Sequence, residues 1–210
     1  MYLFRLDASI LPANSASAEI AEIVQNEWKS SHPAADVVSR HLGTDPLPAD
    51  AWALATTASF TAEADRSQAQ RDAAALAGEL AGELRNADAL IFAVPFYNYG
   101  VSQHFKTWVD LVIAGAGATD PILKAKPAVL VTTIGGGYGP GTPREGWDHS
   151  TGYLERILRN VWEADLTVIK RELTMAAAMP AMEALRDLAA EQHTAAQEAA
   201  RTAGKALAGA

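Results

Sequence analysis

No cysteine occurs anywhere in the 210 residues. That excludes disulfides, thiolate metal ligands and a cysteine nucleophile, and it removes the redox-compartment signal that cysteine usage can carry. Basic residues are scattered and outnumbered: 17 Lys and Arg stand against 25 Asp and Glu, a net charge of −8. Neutralising a phosphate backbone takes a basic surface, so the balance argues against a nucleic-acid partner. No apolar run reaches the ~18 residues of a membrane span, and no membrane partner is expected. The histidines are His32, His41, His104, His149 and His193, and none has the spacing of a metal site. No serine sits in a G-x-S-x-G elbow, so Asp148-His149 belongs to no triad signature. Walker A and G-x-G-x-x-G are both absent, which disfavours a nicotinamide held in the usual dinucleotide manner. Carboxylates form no evident catalytic pair, and the charged helix faces read as solvated surface.

What is present describes one folded domain spanning residues 1–210. Apolar residues make up 49% and charged residues 20%, enough to bury a core without staples. Tyr2 to Asp7 is short, apolar and aromatic, and reads as a first strand. Its charges at Arg5 and Asp7 do not suit a signal peptide, so a cytoplasmic location is expected. Ser17 to Ser30 carries a helical stripe of Ile20, Ile23, Val24 and Trp28. Val37-Val38 centres a short second strand. Residues 43 to 63, with Pro46, Pro48, Trp52, Leu54 and Phe60, are mixed and read as an excursion. Asp65 to Asn86 is an Ala-rich helix, and Ala87 to Val94 a third strand. Phe105, Trp108, Val109, Val112 and Ile113 mark an amphipathic helix ended by Gly115 and Gly117. Pro127 to Thr133 is a buried strand, Tyr153 to Trp162 a helix, Leu166 to Ile169 a last strand and Met182 to Ala208 a long helix. Strands alternating with helices predict an α/β parallel sheet covered on both faces, with strand order 2-1-3-4-5.

Three loops then follow the carboxyl ends of three strands, where ligands of open α/β sheets sit. In the first, Ala8 to Ser17, small hydroxyl residues lead into a helix start, whose free N–H groups and dipole attract an anion. Ser15 or Ser17 could instead simply cap the helix. The second, Pro95-Phe96-Tyr97-Asn98-Tyr99-Gly100, places three aromatic rings and an amide in one turn. That suits a flat heteroaromatic with hydrogen-bonding edges such as a flavin, or else the rings plug a gap between sheet and helix. In the third, Gly135-Gly136-Gly137 lets backbone approach a ligand closely, or is a flexible surface loop. Three ligand loops without an acid/base constellation point to a cofactor that carries the chemistry, and to no catalytic side chain.

These residues resemble the FMN-dependent NADH:quinone oxidoreductases and azoreductases. Ser9 with Asn14-Ser15-Ala16-Ser17 is similar to that family's phosphate loop. Pro95 to Gly100 is similar to its P-M-Y-N-F-G flavin loop, and Lys106-Thr107-Trp108-Val109-Asp110 matches the K-x-W-x-D of the helix beyond. Thr133-Ile134-Gly135-Gly136-Gly137-Tyr138 resembles its S-R-G-G-x-Y loop.

The resemblance implies a flavodoxin-like three-layer sandwich with a five-stranded sheet. It implies that Ser9, Ser15, Ala16 and Ser17 hold the FMN phosphate. Pro95, Phe96, Tyr97, Asn98 and Tyr99 would contact the flavin ring and ribityl chain, with Thr133, Gly135, Gly136 and Tyr138 on its pyrimidine side. It implies two-electron transfer from NADH or NADPH to quinones and azo compounds by ping-pong exchange, and a homodimer with the 43–63 excursion at its interface. Ile134 stands where relatives carry a polar or basic residue, and Asn160 near where some place an aromatic, which bears on substrate range. The competing reading is a flavodoxin-type electron carrier without a small-molecule substrate. The acidic charge permits that, but the Trp-containing excursion and the glycine-rich loop fit a covered pocket better.

Overall fold

The computed structural model describes residues 1–210. Its short apolar runs pair as five parallel strands: β1 (Tyr2–Asp7), β2 (Asp36–His41), β3 (Ala89–Ala93), β4 (Pro127–Thr133) and β5 (Asp165–Arg171). Their order across the sheet is β2-β1-β3-β4-β5, as the alternation of elements predicts. Phe4 of β1 pairs with Val38 on one side and Leu90 on the other, and Leu90 in turn with Ala128 of β4. Central strands covered on both faces need no polar alternation, and every residue of β3 is buried. The edge strand β2 has no fully buried residue.

Side chains alternate across the sheet with a period of two, and that divides the core. Phe4, Leu6, Leu90, Phe92 and Leu130 point to one face. There they meet Leu80 and Leu84 of α3 (Gln68–Asn86) and Phe105, Trp108, Val109 and Val112 of α4 (Gln103–Ala116). Leu3, Ile91, Val129, Val131 and Ile169 point to the other. Ile20, Val24 and Trp28 of α1 (Ala16–Ser31) and Ala196, Ala200, Ala203 and Leu207 of α6 (Arg186–Ala208) cover them. The small residues of α6 let it approach α1 closely. A methyl group on Gly204 would lie 2.6 Å from the Glu27 Cβ and 2.7 Å from the Val24 carbonyl oxygen. Alanine there is excluded by backbone, not merely by a movable side chain.

The structure corrects the sequence reading in several places. Gly115 does not end α4. It lies inside the helix, where a side chain would collide with the Ala77 carbonyl of α3. Gly117 alone ends it, with a φ of 110° that an L residue rarely adopts. The 43–63 excursion contains a helix, α2 (Ala51–Ser59), whose Ala51, Ala55 and Ala58 are buried while Trp52 and Phe60 stay exposed. Periodicity misses it because the buried positions are alanines and the bulky residues face outward. α3 starts at Gln68, after a capping box between Ser67 and Gln70. The long terminal helix starts at Arg186, behind 3-10 turns over Pro180–Leu185. The helix expected around Tyr153 is α5 (Thr151–Glu155), extended by π-helical turns over Arg156–Val161.

Candidate functional site

The first loop leaves β1 and enters α1 through one 3-10 turn at Pro12–Asn14. Ser15 is the cap: its Oγ accepts from the Ala18 N–H at 3.2 Å. That removes the capping alternative for Ser17, which lies fully buried inside the helix with its Oγ 3.2 Å from the Ser15 Oγ. The Ala16 and Ser17 N–H groups belong to the first turn, which has no intrahelical acceptors. No charged residue lies between Ala8 and Ser17. The nearest acids are already compensated. Asp7 is buried against the Arg5 guanidinium at 2.8 Å. Glu19 meets His193 at 2.5 Å and Arg171 at 3.3 Å. Burial alone would raise the Glu19 pKa, but His193, Gln197 and Arg171 hold it below the usual carboxylate range. The end of α1 therefore presents neutral donors and a positive dipole without an opposing field.

The second loop begins where the Phe96 N–H donates to the Thr133 carbonyl at 2.9 Å. Tyr97 and Gly100 then exchange backbone bonds of 3.0 and 2.9 Å around Asn98 and Tyr99. Both central residues have positive φ, 46° and 70°, the signature of a type I′ turn. Asn tolerates that region; Tyr99 is strained there, at a typical cost of about 1–3 kcal/mol. The turn sets the Tyr99 ring edge-on to Phe96, Tyr138 and Trp147, with centroids 6.4, 6.3 and 6.0 Å away. Phe96 and Tyr138 lie closer, at 4.8 Å. The Tyr97 hydroxyl crosses to the first loop, accepting from the Ile10 N–H at 3.1 Å and lying 3.3 Å from the Ser9 Oγ. Beside this junction, Ile10, Tyr97, Asn98 and His104 line a hollow of about 460 Å³.

The third loop is glycine-rich yet tied down. The Tyr138 and Gly139 N–H groups both donate to Glu172 Oε2, at 2.8 and 3.3 Å. The Leu173, Thr174 and Met175 N–H groups donate to the carbonyls of Gly136, Ile134 and Gly135, each at 3.1 Å. Lys170 Nζ joins Glu172 at 2.9 Å to Asp148 at 3.0 Å. Asp148 in turn accepts from the Ser150 and Thr151 N–H groups at 3.0 and 2.9 Å and from the Thr151 hydroxyl at 2.7 Å. The His149 N–H donates to the Tyr99 carbonyl at 3.2 Å, closing the circuit to the second loop. Burial alone would raise the Asp148 pKa, but the bonds from Thr151, Lys170 and Ser150 hold it below its ordinary value. Burial would lower Lys170, and its two carboxylate partners raise it instead.

The expected residues thus fall on one edge of the sheet. Ser9 meets Tyr97, Ser15 meets Ser17, Phe96 meets both Thr133 and Tyr138, and Pro95 is buried. Ile134 is fully buried, so its side chain lines no open face, and Asn160 is exposed on the π-helical turns. Asp148, Lys170 and Glu172 tie the third loop down, and the sequence reading missed them. Asp148 had a signal, an Asp shortly before Ser150-Thr151 and an apolar helix. Lys170 and Glu172 had none beyond lying at the end of a strand.

A doubly wound parallel sheet of this order, with three loops gathered at its carboxyl edge, defines a flavodoxin-like protein. The model of a family described as having a flavodoxin-like fold matches residues 1–196. An FMN-dependent NADH:quinone oxidoreductase of Frankia casuarinae is 36% identical over 95% of this chain and 97% of its own. One from Streptomyces coelicolor is 36% identical over 98% of this chain and 94% of its own. The chain belongs to this family of FMN-dependent NADH:quinone oxidoreductases, and it is an oxidoreductase. A crystal structure of an azoreductase from Bacillus anthracis shares the fold, with a TM-score of 0.78 over 98% of this chain and 99% of that one at 21% identity.

Replacing Asp148 with Asn should lower stability at neutral pH by about 1–3 kcal/mol, the range for bonds to a charged group. A depressed folded pKa stabilises the fold above the unfolded value and loses that stabilisation as pH falls through the folded one. The gap between native protein and Asp148→Asn in urea melts should therefore close below about pH 4. Equal stability at pH 7 would show that the Asp148 charge supports nothing.

Proposed function

We propose that the three loops hold FMN and that the protein carries electrons from NADH or NADPH to quinones and azo compounds. The observation that carries this is the junction at Tyr97. Its hydroxyl staples an uncharged loop and helix start, suited to a phosphate, to a turn bearing ring faces, suited to a flavin. The residues present fit the group. Ser9, Ser15, Ala16 and Ser17 offer neutral donors at a helix N-terminus whose nearby acids are compensated. Phe96, Tyr97, Asn98 and Tyr99 offer ring faces and an amide, and Thr133, Gly135, Gly136 and Tyr138 offer backbone and one more ring. A bound FMN supplies reversible two-electron exchange. The chain's part is to orient the ring system, to exclude water with Phe96, Tyr99, Tyr138 and Trp147, and to keep the glycine-rich loop fixed through Glu172.

Donor and acceptor occupy one slot in turn in this reading. Initial-rate plots at several fixed quinone concentrations should therefore be parallel, and intersecting lines would mean a ternary complex instead. No side chain is required as a general acid, so removing His104 or His149 should cost less than the ~10²-fold typical of one.

Ser15 and Ser17 have separable roles. Ser17→Ala should weaken FMN by about 1–3 kcal/mol in titrations of the apoprotein, with thermal stability unchanged. Ser15→Ala should lower stability by about 1 kcal/mol as a lost cap. FMN affinity untouched by Ser17→Ala would remove that serine from the phosphate site.

The slot is completed by a second copy of the chain in this reading. Trp52 and Phe60 expose 49% and 87% of their surface at and just beyond α2, too much for a face meant to stay in water. Light scattering should give twice the 22.2 kDa chain mass. A fully active monomer would contradict it.

A further inference from the structure

Beyond the Tyr138 ring lies a second hollow, of about 440 Å³, against the Gly135–Gly137 backbone. Its other wall is Met175, Met179, Met182 and Leu185, with Arg144 at its edge. Three of the four methionines in the chain meet here. The backbone under them is fixed, because the Met175 N–H bonds the Gly135 carbonyl at 3.1 Å. The packing is close, since a side chain at Gly135 would lie 2.7 Å from the Met175 sulfur and push that side chain aside. A thioether thus lies directly on the glycine-rich loop, while Met175 and Met179 remain 49% and 38% exposed. Unbranched, polarizable side chains on a fixed backbone adapt to flat aromatic faces of different outline.

Arg144 gives the hollow its charge. Its guanidinium lies 5.7 Å from the centroid of the Tyr138 ring. The carboxylates close to it in the loops are engaged elsewhere. Glu145 accepts from the Gly141 N–H at 2.8 Å, and Glu172 is held by Tyr138, Gly139 and Lys170. Arg144 therefore faces the Tyr138 ring with no ion pair of its own, on a chain of net charge −8, and lines an apolar hollow. A guanidinium favours oxyanions that offer two oxygens to its fork, planar carboxylates and tetrahedral oxyanions alike, which it can hold by two parallel bonds.

We propose that this hollow is the acceptor's distal subsite, and that Arg144 makes the enzyme prefer aromatic acceptors bearing an acidic group. The inference rests on the reading of the neighbouring loops as the flavin site and names the substrate class that site serves. The methionines take a ring that extends past Tyr138, and Arg144 meets a sulfonate or carboxylate on it. A dinucleotide fits less well, because the wall offers thioethers and one cation where ribose and phosphates need many donors.

The test uses the FMN-loaded protein with a naphthoquinone and its ring-sulfonated analogue. Arg144→Gln should raise the Kd of the sulfonated compound, measured by equilibrium dialysis against oxidised protein, by roughly tenfold to a hundredfold, the loss of a charge-assisted bond. Its KM should rise in parallel while kcat holds. The neutral naphthoquinone should change less than about twofold, and Arg144→Lys should recover part of the loss. FMN content and the rate of bleaching by NADH should match the native protein. Equal effects on both quinones, or a raised KM for NADH alone, would overturn the subsite. Failure of the native protein to take up FMN would instead overturn the reading of the flavin loops.

Discussion

Glu172 accepting two backbone N–H bonds from the glycine-rich loop is the constraint on which the carboxyl edge of the sheet depends. Fixing a residue's backbone costs about 1–2 kcal/mol in conformational entropy, and glycine loses most. A loop with Gly135, Gly136, Gly137, Gly139, Gly141 and Gly146 would not hold one shape unaided. Hydrogen bonds to a charged group contribute about 1.5–3 kcal/mol each, so the two together offset roughly two or three such residues. The carboxylate needs its own compensation, which Lys170 gives, and Lys170 is shared with Asp148. Because Asp148 also accepts the Thr151 N–H at the start of α5 and its neighbour His149 bonds the Tyr99 carbonyl, one ionic chain sets the third loop and the second together. Tyr97 then carries the constraint to the first loop.

The same logic explains where the charges are. A helix N-terminus attracts anions only if no carboxylate competes. Asp7 and Glu19 flank the first loop, and each is bound to a cation, Arg5 in the one case and Arg171 in the other, where the His193 ring adds a hydrogen bond. The strain at Tyr99 fits the pattern too. Left-handed backbone on an aromatic residue persists only where the surroundings over-determine it, and here three neighbouring rings and the two backbone bonds of the turn do so.

Much of this was legible in the sequence. The five strands, their order and the three loops followed from apolar runs alternating with helical stripes, because buried parallel strands and amphipathic helices write strong patterns. The aromatic turn and the serine-bearing helix start were legible for the same local reason. α2 was not, since its buried face is alanine and its large residues, Trp52 and Phe60, point outward. Gly115 read as a helix end because the close approach of Ala77 is a tertiary fact. Glu172 and Lys170 were invisible: a carboxylate and an amine at the end of a strand look like solvated surface until the loop they hold is placed against them.

The central claim is that these three loops form one flavin site that NADH can reduce. It is tested most directly by the visible spectrum of the purified protein, loaded with FMN and titrated anaerobically with NADH. The account predicts a flavin band that bleaches fully with one equivalent of NADH per flavin and returns on adding a quinone. A protein that takes up no FMN, or whose flavin band NADH leaves unchanged, would contradict it.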